Sequence, residues 1–522
     1  MSPRSLCKDL ERSGLELIET HISRVFVGER QVWKVKKPVD FGFLDFTTLE
    51  KRRRACEAEV ELNRRLAPDV YLGVVPITRA ADGRHEIGGE GETVDWAVHM
   101  KRLPDADRAD VRIAEGRLDA AQVERLAAHL AAFHARSRCD GETARFGTVE
   151  AIGRNVQENF EQTRETVEEY LAPEQAAEIE DWQDRFLAEH ASAFAARVET
   201  GRVRDGHGDL RLEHVYLDGD GPPIVVDCIE FNERFRYADV CADVAFLAMD
   251  LAWHRRVDLA ERFLAAYARE ADDYDLYPLV DFYESYRAYV RGKVATMAAA
   301  DADAQEASRE RAAAEARRYF LLALASERRP LLRPAVVAVG GLIAAGKSTV
   351  ARRIAAELSA PVVDSDRTRK HLLGVEAEEK VEEPAWQGGY APERTEEVYA
   401  EVLRRGAAVL TSGRPVVLDA SFRTRRHRRA ARRLADDHGV PFTFVECRAP
   451  VEVLRERLRR RAEGASVSDG RLEILEDFVA GWEAVDDLAA SQHLALDTQR
   501  PLEESIELLR GRIPSWPAGL VD

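Results

Sequence analysis

Residues 336–354 read VVAVGGLIAAGKSTVARRI. A β-branched apolar run ends in two glycines, and a tight turn from Gly341 to Gly346 leads into Lys347-Ser348-Thr349 and an amphipathic stretch. The spacing fits G-x-x-x-x-G-K-[ST], and the flanking pattern is a strand before it and a helix after it, the context that this loop requires. In that geometry the backbone N–H groups at Gly341, Ala345 and Gly346 curl around a phosphate at a helix N-terminus. Lys347 adds a point charge at the β and γ phosphates of ATP or GTP, the Ser348 hydroxyl is a Mg²⁺ ligand, and Thr349 continues the nucleotide-binding turn.

Outward from this loop, strands alternate with helices. PAVVAVGG, APVVDSD, RPVVLDAS, PFTFVECR and HLALDT read as strands, and helices are expected at about 347–358, 393–411, 424–437, 450–463 and 471–489. Such alternation predicts a doubly wound parallel sheet. Upstream, ERRPLLRP at 327–334 ends a helix with two prolines. The expected domains are therefore 1–328 and 329–522, which suits 522 residues at roughly 100–200 residues per domain.

In the second domain, Asp366 and Arg369 follow the second strand within DSDRTRK. A carboxylate there takes the proton from an attacking hydroxyl, with Arg369 beside the acceptor, or else the acid caps a helix. Asp419 ends the strand VVLD and reads as the Mg²⁺-side carboxylate or an ordinary strand-end acid. Arg457 and Arg461, at i and i+4 in LRERLRRR, form either a lid over the phosphates or a solvated basic face. Together GGLIAAGKST, DSDRTRK, YAPERTEEVY, VVLDASF and LRERLRRR resemble the P-loop kinase group of polynucleotide kinases, zeta toxins, gluconate kinases and chloramphenicol phosphotransferase, over about residues 335–500.

The first hundred residues alternate apolar and polar positions. HISRVFVGERQVWKVKKPVD predicts a hairpin turning at Gly28-Glu29-Arg30, and TTLEKRRRACEAEVELNRRL predicts a Thr-capped helix. Helical periodicity resumes from about 117, with one long segment at 155–198 and further helices from 239 to 326. His129 and His134 within it read as packing residues. Between them lies DGHGDLRLEHVYL, and 18 residues after Asp209 comes Asp227, at the end of IVVD. One carboxylate in a tight loop and another on a neighbouring strand suit hydroxyl deprotonation and Mg²⁺ binding. Lys34 and Lys36 share a strand face, and Glu59 lies on the following helix with Glu57; a lysine–glutamate pair of this kind clamps phosphates.

HGDLRLEH resembles the H-G-D-x-H-x-x-N signature of the aminoglycoside phosphotransferase family, which implies a protein-kinase-like fold over about residues 20–320. The resemblance implies Asp209 as catalytic base, Asp227 as a metal ligand, Lys34 and Glu59 as the phosphate clamp, and VDWAVHMKRLP as the adenine-side hinge. Arg211 stands where the family has its second His, and His214 where it has the metal-binding Asn. Imidazole is a poorer Mg²⁺ ligand than an amide or carboxylate oxygen. Arg287 and Arg291 share a late helix face, which reads as a wall for an anionic acceptor or as a surface salt-bridge face.

The net charge of −18 disfavours non-specific nucleic-acid binding, the apolar runs are too short for a bilayer, and the charged N-terminus predicts no secretory signal. Six scattered cysteines without a C-x-x-C pair fit reduced thiols in the cytoplasm. The whole resembles the architecture in which an aminoglycoside phosphotransferase-like domain is fused to an AAA-type ATP-binding P-loop domain. The expectation is an ATP- and Mg²⁺-dependent phosphotransferase with two nucleotide-using modules acting on small-molecule hydroxyls. Its competitors are a P-loop kinase regulated by a catalytically weak kinase-like domain, and a nucleic-acid-end or nucleotide-sugar kinase.

Overall fold

The computed structural model describes residues 3–42, 44–302, 304–324, 333–376, 379, 388, 391–461 and 472–513. Contacts divide the chain into two units, Met1–Arg256 with Tyr283–Leu324, and Val257–Phe282 with Ala325–Asp522. The division at 328/329 follows chain order; by contacts, Val257–Phe282 packs with the second unit.

The first unit opens with a six-stranded antiparallel sheet in the order Glu16–Glu19, Ser23–Val27, Gln31–Lys36, Glu92–Lys101, Tyr71–Arg79, His85–Ile87. Period-2 alternation sorts its faces. Phe26, Val35, Ile77 and Ala97 pack under Leu6 and Leu10 of the helix Pro3–Arg12. On the other face Val98, opposite Lys34 in register, packs with Cys56 and Val60 of the helix Leu49–Asn63. That helix starts where the Thr48 side chain accepts the Lys51 N–H at 3.2 Å. Lys34 and Lys36 therefore point toward the helix that carries Glu59.

Downstream the unit is helical around two short antiparallel pairs, Val203–Asp205 with Tyr237–Asp239 and Val215–Tyr216 with Ile224–Val225. The long helix expected over 155–198 is instead three, Val149–Thr163, Pro173–Glu189 and Ala191–Glu199. Pro173 starts the second and forces Ala172 into extended backbone (φ −64°, ψ 146°). His190, at φ −107° and ψ 17°, separates the second from the third.

The second unit is a five-stranded parallel sheet in the order Val362–Asp364, Val416–Asp419, Val336–Gly341, Phe442–Arg448, His493–Asp497. Every expected strand is present, and the outer elements include Lys347–Leu358, Ser365–Leu373, Pro392–Thr411, Arg425–Asp437 and Val451–Arg461. The helix expected at 471–489 is only Leu475–Ala480. Beyond Gly481 the chain is captured by the buried Arg428, which donates to Glu483 O at 3.2 Å, Ala484 O at 3.0 Å and Asp487 Oδ1 at 2.7 Å. Backbone carbonyls that serve this guanidinium are turned away from a helical ladder.

Candidate active sites

In the first unit the sheet offers Lys34 to two acids. Its Nζ lies 3.0 Å from Glu59 Oε1 and is also paired with Asp227 Oδ1. Lys36 is fully buried; it pairs with Glu59 Oε2 at 2.5 Å and with Glu230. Burial works against the Lys34 charge, but Asp227 and Glu59 outweigh it and hold the ammonium well above the usual lysine range. Asp227 sits at φ +64°, a left-handed conformation rare outside glycine, and its N–H donates to Tyr71 Oη at 3.1 Å. The next residue is pinned to the same helix, since Cys228 N–H donates to Asn63 Oδ1 at 2.9 Å.

The loop 205–212 faces this clamp. Gly208 adopts φ +87°, and a Cβ there would lie 2.8 Å from Phe235 O. Asp243, on the helix Val240–Trp253, accepts the N–H of His207 at 2.6 Å and of Gly208 at 2.9 Å. Hydrogen bonds to a charged acceptor are each worth about 1.5–3 kcal/mol, so Asp243 is the main anchor of the loop. His207 is fully buried and neutral, its pKa pushed down to about 4 chiefly by burial, and its Nε2–H donates to Val226 O at 3.0 Å. Asp209 is held by Arg211 in a bidentate pair, Nε to Oδ1 and Nη2 to Oδ2 both at 3.0 Å. Burial raises the Asp209 pKa, but Arg211 and then His214 outweigh it and keep the carboxyl below the ordinary range.

His214 Nδ1 lies 2.8 Å from Asp209 O. A carbonyl only accepts, so Nδ1 carries a proton, and Nε2 looks toward Asp227 Oδ2, 3.7 Å away. Arg211 Nη2 approaches that same nitrogen at 3.4 Å. An imidazole nitrogen and a carboxylate converge here, a mixed N,O donor pair that can hold a divalent cation.

In the second unit the loop after Val336–Gly341 takes the conformation that the glycines permit. A Cβ on Gly341 (φ +141°) would lie 2.4 Å from Cys447 O, and Gly346 (φ +87°) caps the helix Lys347–Leu358. Lys347 Nζ donates to Leu342 O at 3.0 Å. Parallel register sets Asp364 directly beside Asp419. Burial and the neighbouring acids push both carboxyls up: Asp419 and Asp366 add to the burial of Asp364, while at Asp419 the Lys347 charge and a Ser348 hydrogen bond oppose the rise. Two crowded acids beside a serine hydroxyl form a hard, oxygen-only donor set short of positive charge, which fits Mg²⁺.

Asp364 also caps the helix Ser365–Leu373, accepting the N–H groups of Asp366 and Arg367 at 2.8 Å each. Asp366 is thereby the second residue after the cap, and its carboxylate makes no ion pair among the described residues. Arg369 is buried, and its charge reaches Tyr399, as does that of Arg423. The segment Val257–Phe282 braces this helix. Arg405 forks onto Asp272 with both bonds at 2.7 Å, His371 Nδ1 lies 2.8 Å from Asp272 Oδ2, and Tyr274 Oη donates to Val362 O at 2.6 Å. On the opposite side Arg457 reaches the phosphate loop, donating to Ala344 O at 3.2 Å and to Thr498 O at 2.7 Å.

Residues 32–283 match the family described as the phosphotransferase enzyme family, and residues 336–485 match that described as an AAA domain. Uncharacterized proteins of Mycobacterium tuberculosis (strain ATCC 25618 / H37Rv) and Mycobacterium bovis (strain ATCC BAA-935 / AF2122/97) are 34% identical over 469 residues, covering 89% of this chain and 90% of theirs. The chain belongs to the phosphotransferase enzyme family, joined to an AAA-type P-loop kinase domain. A shikimate kinase of Nitrobacter winogradskyi is 33% identical over 130 residues, 24% of this chain and 53% of that enzyme. The solved structure of a gluconokinase from Sinorhizobium meliloti aligns with 34% of this chain and 94% of its own at 24% identity and a TM-score of 0.26. Membership supports ATP-dependent phosphotransfer as the chemistry of the fused phosphotransferase. No helix among the described residues is long and apolar enough to cross a membrane.

Within the fused phosphotransferase, Lys34, Lys36, Glu59, Asp209, His214 and Asp227 converge on one site, and Gly341, Ala345, Gly346, Lys347, Ser348, Thr349, Asp366, Arg369, Asp419 and Arg457 surround another. Arg287 stands apart from its helix partner Arg291. It is buried, its Nε donates to Ala242 O at 3.3 Å, and its guanidinium lies 4.8 Å from the Phe246 ring centre, so it serves the core and not an acceptor wall. The Arg461 side chain lies outside the described residues. Glu57 pairs with Arg53 on the exposed face of its helix, away from the lysines. His134 does more than pack, since its Nε2 lies 3.4 Å from the loop anchor Asp243. Sequence reading missed Asp243, Glu230, Asp364 and Arg423. Asp364 alone had a local signal, as the strand-end acid two residues before Asp366.

Proposed function

We propose that the chain carries two ATP- or GTP-using phosphotransfer sites, one per module, acting in the cytoplasm on small-molecule hydroxyl acceptors. The observation that supports this reading is that each unit brings together, from its own elements, a lysine, acids that can hold a cation, and a further carboxylate. In the first these are Lys34, Asp227 with His214, and Asp209; in the second, Lys347, Asp419 with Ser348, and Asp366. Mg²⁺, when bound by those donor sets, supplies positive charge against the nucleotide phosphates. The chain's own part is to orient and deprotonate. Asp209 or Asp366 takes the proton of the acceptor hydroxyl as its oxygen bonds to the γ-phosphorus, the bond to the β-phosphate oxygen breaks, and the nucleoside diphosphate leaves. Arg369 and Arg457 flank the second site on the acceptor and phosphate sides.

Calorimetry of the full chain with a non-hydrolysable ATP analogue and Mg²⁺ tests the reading. Two sites are expected, and Lys347→Ala should leave one, with affinity at the lost site falling at least about 100-fold. A single site in the unmodified chain would refute the two-site reading. The bidentate Arg211–Asp209 pair favours one variant of it, a first module that turns over slowly and regulates the second.

A further inference from the structure

We infer that the acceptor of the first module is an anion, a phosphate- or carboxylate-bearing alcohol, read by Arg291 with Arg211 and Arg318; this rests on the phosphotransfer reading of that module. An aminoglycoside is a polycation, and its acceptor wall would need to be acidic. The side chains beside Asp209 are the reverse. Arg291 lies close enough to Asp209 to help lower its pKa, and its guanidinium sits 5.7 Å from the centre of the Tyr319 ring, to which it also hydrogen-bonds. Tyr319 stacks on Trp253 with ring centres 3.8 Å apart and planes 9° from parallel. Arg318 lies over the other partner of that stack, 3.9 Å from the Trp253 ring centre, and donates to Trp253 O.

Arg211 is paired with Asp209 and Glu213, but the arginines around it are not paired among the described residues. None of Arg255, Arg291 and Arg318 makes an ion pair with a carboxylate among the described residues, in a chain of net charge −18 where arginines are otherwise heavily paired. Burial and then the charge of Arg255 lower the pKa of Arg318, a sign that positive charge accumulates there uncompensated. Of the other acids nearby, Glu213 is already paired with Arg211, and Asp250 is buried, accepts the Leu212 N–H at 2.8 Å and has its pKa raised by burial. It is committed to the loop and contributes little free charge. Stacking on Trp253 and Tyr319 fixes Arg318 and Arg291 in place, so an entering anion meets donors that are already ordered.

The anion also resolves the capped state of Asp209. Arg211 occupies one lone-pair position on each Asp209 oxygen, and its remaining N–H groups already lean on Glu213 and His214. An anionic group beside Arg211 gives the guanidinium a replacement partner, so Asp209 turns to the acceptor hydroxyl without leaving a buried arginine unpaired.

The test uses the full chain carrying Lys347→Ala, saturated with the non-hydrolysable ATP analogue and Mg²⁺, and titrated in calorimetry with inorganic phosphate, acetate and kanamycin in turn. Binding of phosphate or acetate, and none of kanamycin, is expected; which anion binds separates a phosphate-bearing from a carboxylate-bearing acceptor. Arg291→Leu should weaken the anion roughly tenfold or more while nucleotide affinity stays within about twofold, and Arg291→Lys should recover part of the loss. Kanamycin binding without anion binding, no binding of either anion, or anion affinity untouched by Arg291→Leu would overturn the inference. Failure of the analogue to bind the Lys347→Ala chain would instead overturn the phosphotransfer reading beneath it.

Discussion

The two sites solve the same electrostatic problem in opposite ways. Around Asp209 and Asp227 the protein supplies its own positive charge, through Arg211 and Lys34, and both acids are held below the ordinary carboxylate range despite burial. Around Asp364 and Asp419 it withholds that charge. Lys347 opposes the rise at Asp419, but burial, with Asp366 beside both acids, pushes the two carboxyls up. A site whose acids are already paired must break ion pairs to take substrate, whereas a site whose acids are pushed up by burial gains by taking a cation. The first is arranged as a latch and the second as a cation socket. Each of the following experiments would sharpen that contrast or break it.

The largest effect is expected at Asp366. Its carboxylate makes no ion pair among the described residues and sits two residues past the cap of the helix Ser365–Leu373. Asp366→Asn, in a chain whose first site is silenced by Asp209→Asn, should lower phosphoryl transfer by roughly 10²–10⁴-fold and leave nucleotide affinity nearly intact. Steady-state turnover with calorimetry on the same variant checks this. Equal losses in binding and turnover would make Asp366 a structural acid and remove the acceptor side from the second site.

Much of this layout is legible in the sequence because it is local. The phosphate loop, the strand-end Asp419 and the HGD turn each lie within a run of a few residues whose spacing dictates their geometry. The parts that sequence reading lacks are those made by long-range partners. Asp243 comes 34 residues after Asp209, in an apolar helix that gives no hint of two backbone N–H groups converging on it. Asp272 lies in a segment that chain order assigns to the first module, yet it clasps Arg405 and His371 beside the helix Ser365–Leu373 of the second. The i, i+4 spacing of Arg287 and Arg291 correctly puts them on one helix, but spacing cannot say that one turn ends over Phe246 and the other beside Tyr319.

The opposed pKa shifts make an intermediate prediction with a sign for each site. A carboxyl whose folded pKa is lowered adds stability that is present above its unfolded value of about 4 and lost as pH falls below it. Asp209 and Asp227 are of this kind. A carboxyl whose folded pKa is raised binds its proton more tightly when folded, so stability falls as pH rises from about 4 through the raised value. Asp364 and Asp419 are of this kind. Hydrogen exchange followed by mass spectrometry, corrected for intrinsic rates, should show the strands Val362–Asp364 and Val416–Asp419 losing protection between pH 5 and 8 without divalent cation. Mg²⁺ should restore that protection. The turn 207–209, held on the Asp243 carboxylate whose pKa is lowered, should hold over that range and loosen only below about pH 4. Parallel behaviour of the two regions, or no response to Mg²⁺ in the second, would erase the distinction between latch and socket.

The smallest expected effect lies at His214, and it asks whether the latch also shapes the metal preference. The proton on Nδ1, fixed by Asp209 O at 2.8 Å, leaves Nε2 as the nitrogen that looks toward Asp227. Mn²⁺ accepts an imidazole ligand more readily than Mg²⁺ does, so the first site should turn over faster with Mn²⁺. His214→Asn replaces that nitrogen with an amide that can offer oxygen. In the full chain with the second site silenced by Lys347→Ala, Mg²⁺-supported turnover should rise several-fold and the Mn²⁺-to-Mg²⁺ ratio should fall. The ratio is the decisive readout, because loss of the hydrogen bond to Asp209 O would lower both rates together and leave it unchanged. Should the ratio stay constant while both rates rise, His214 would be a member of the latch through Arg211 Nη2, 3.4 Å from its Nε2, and not a metal ligand.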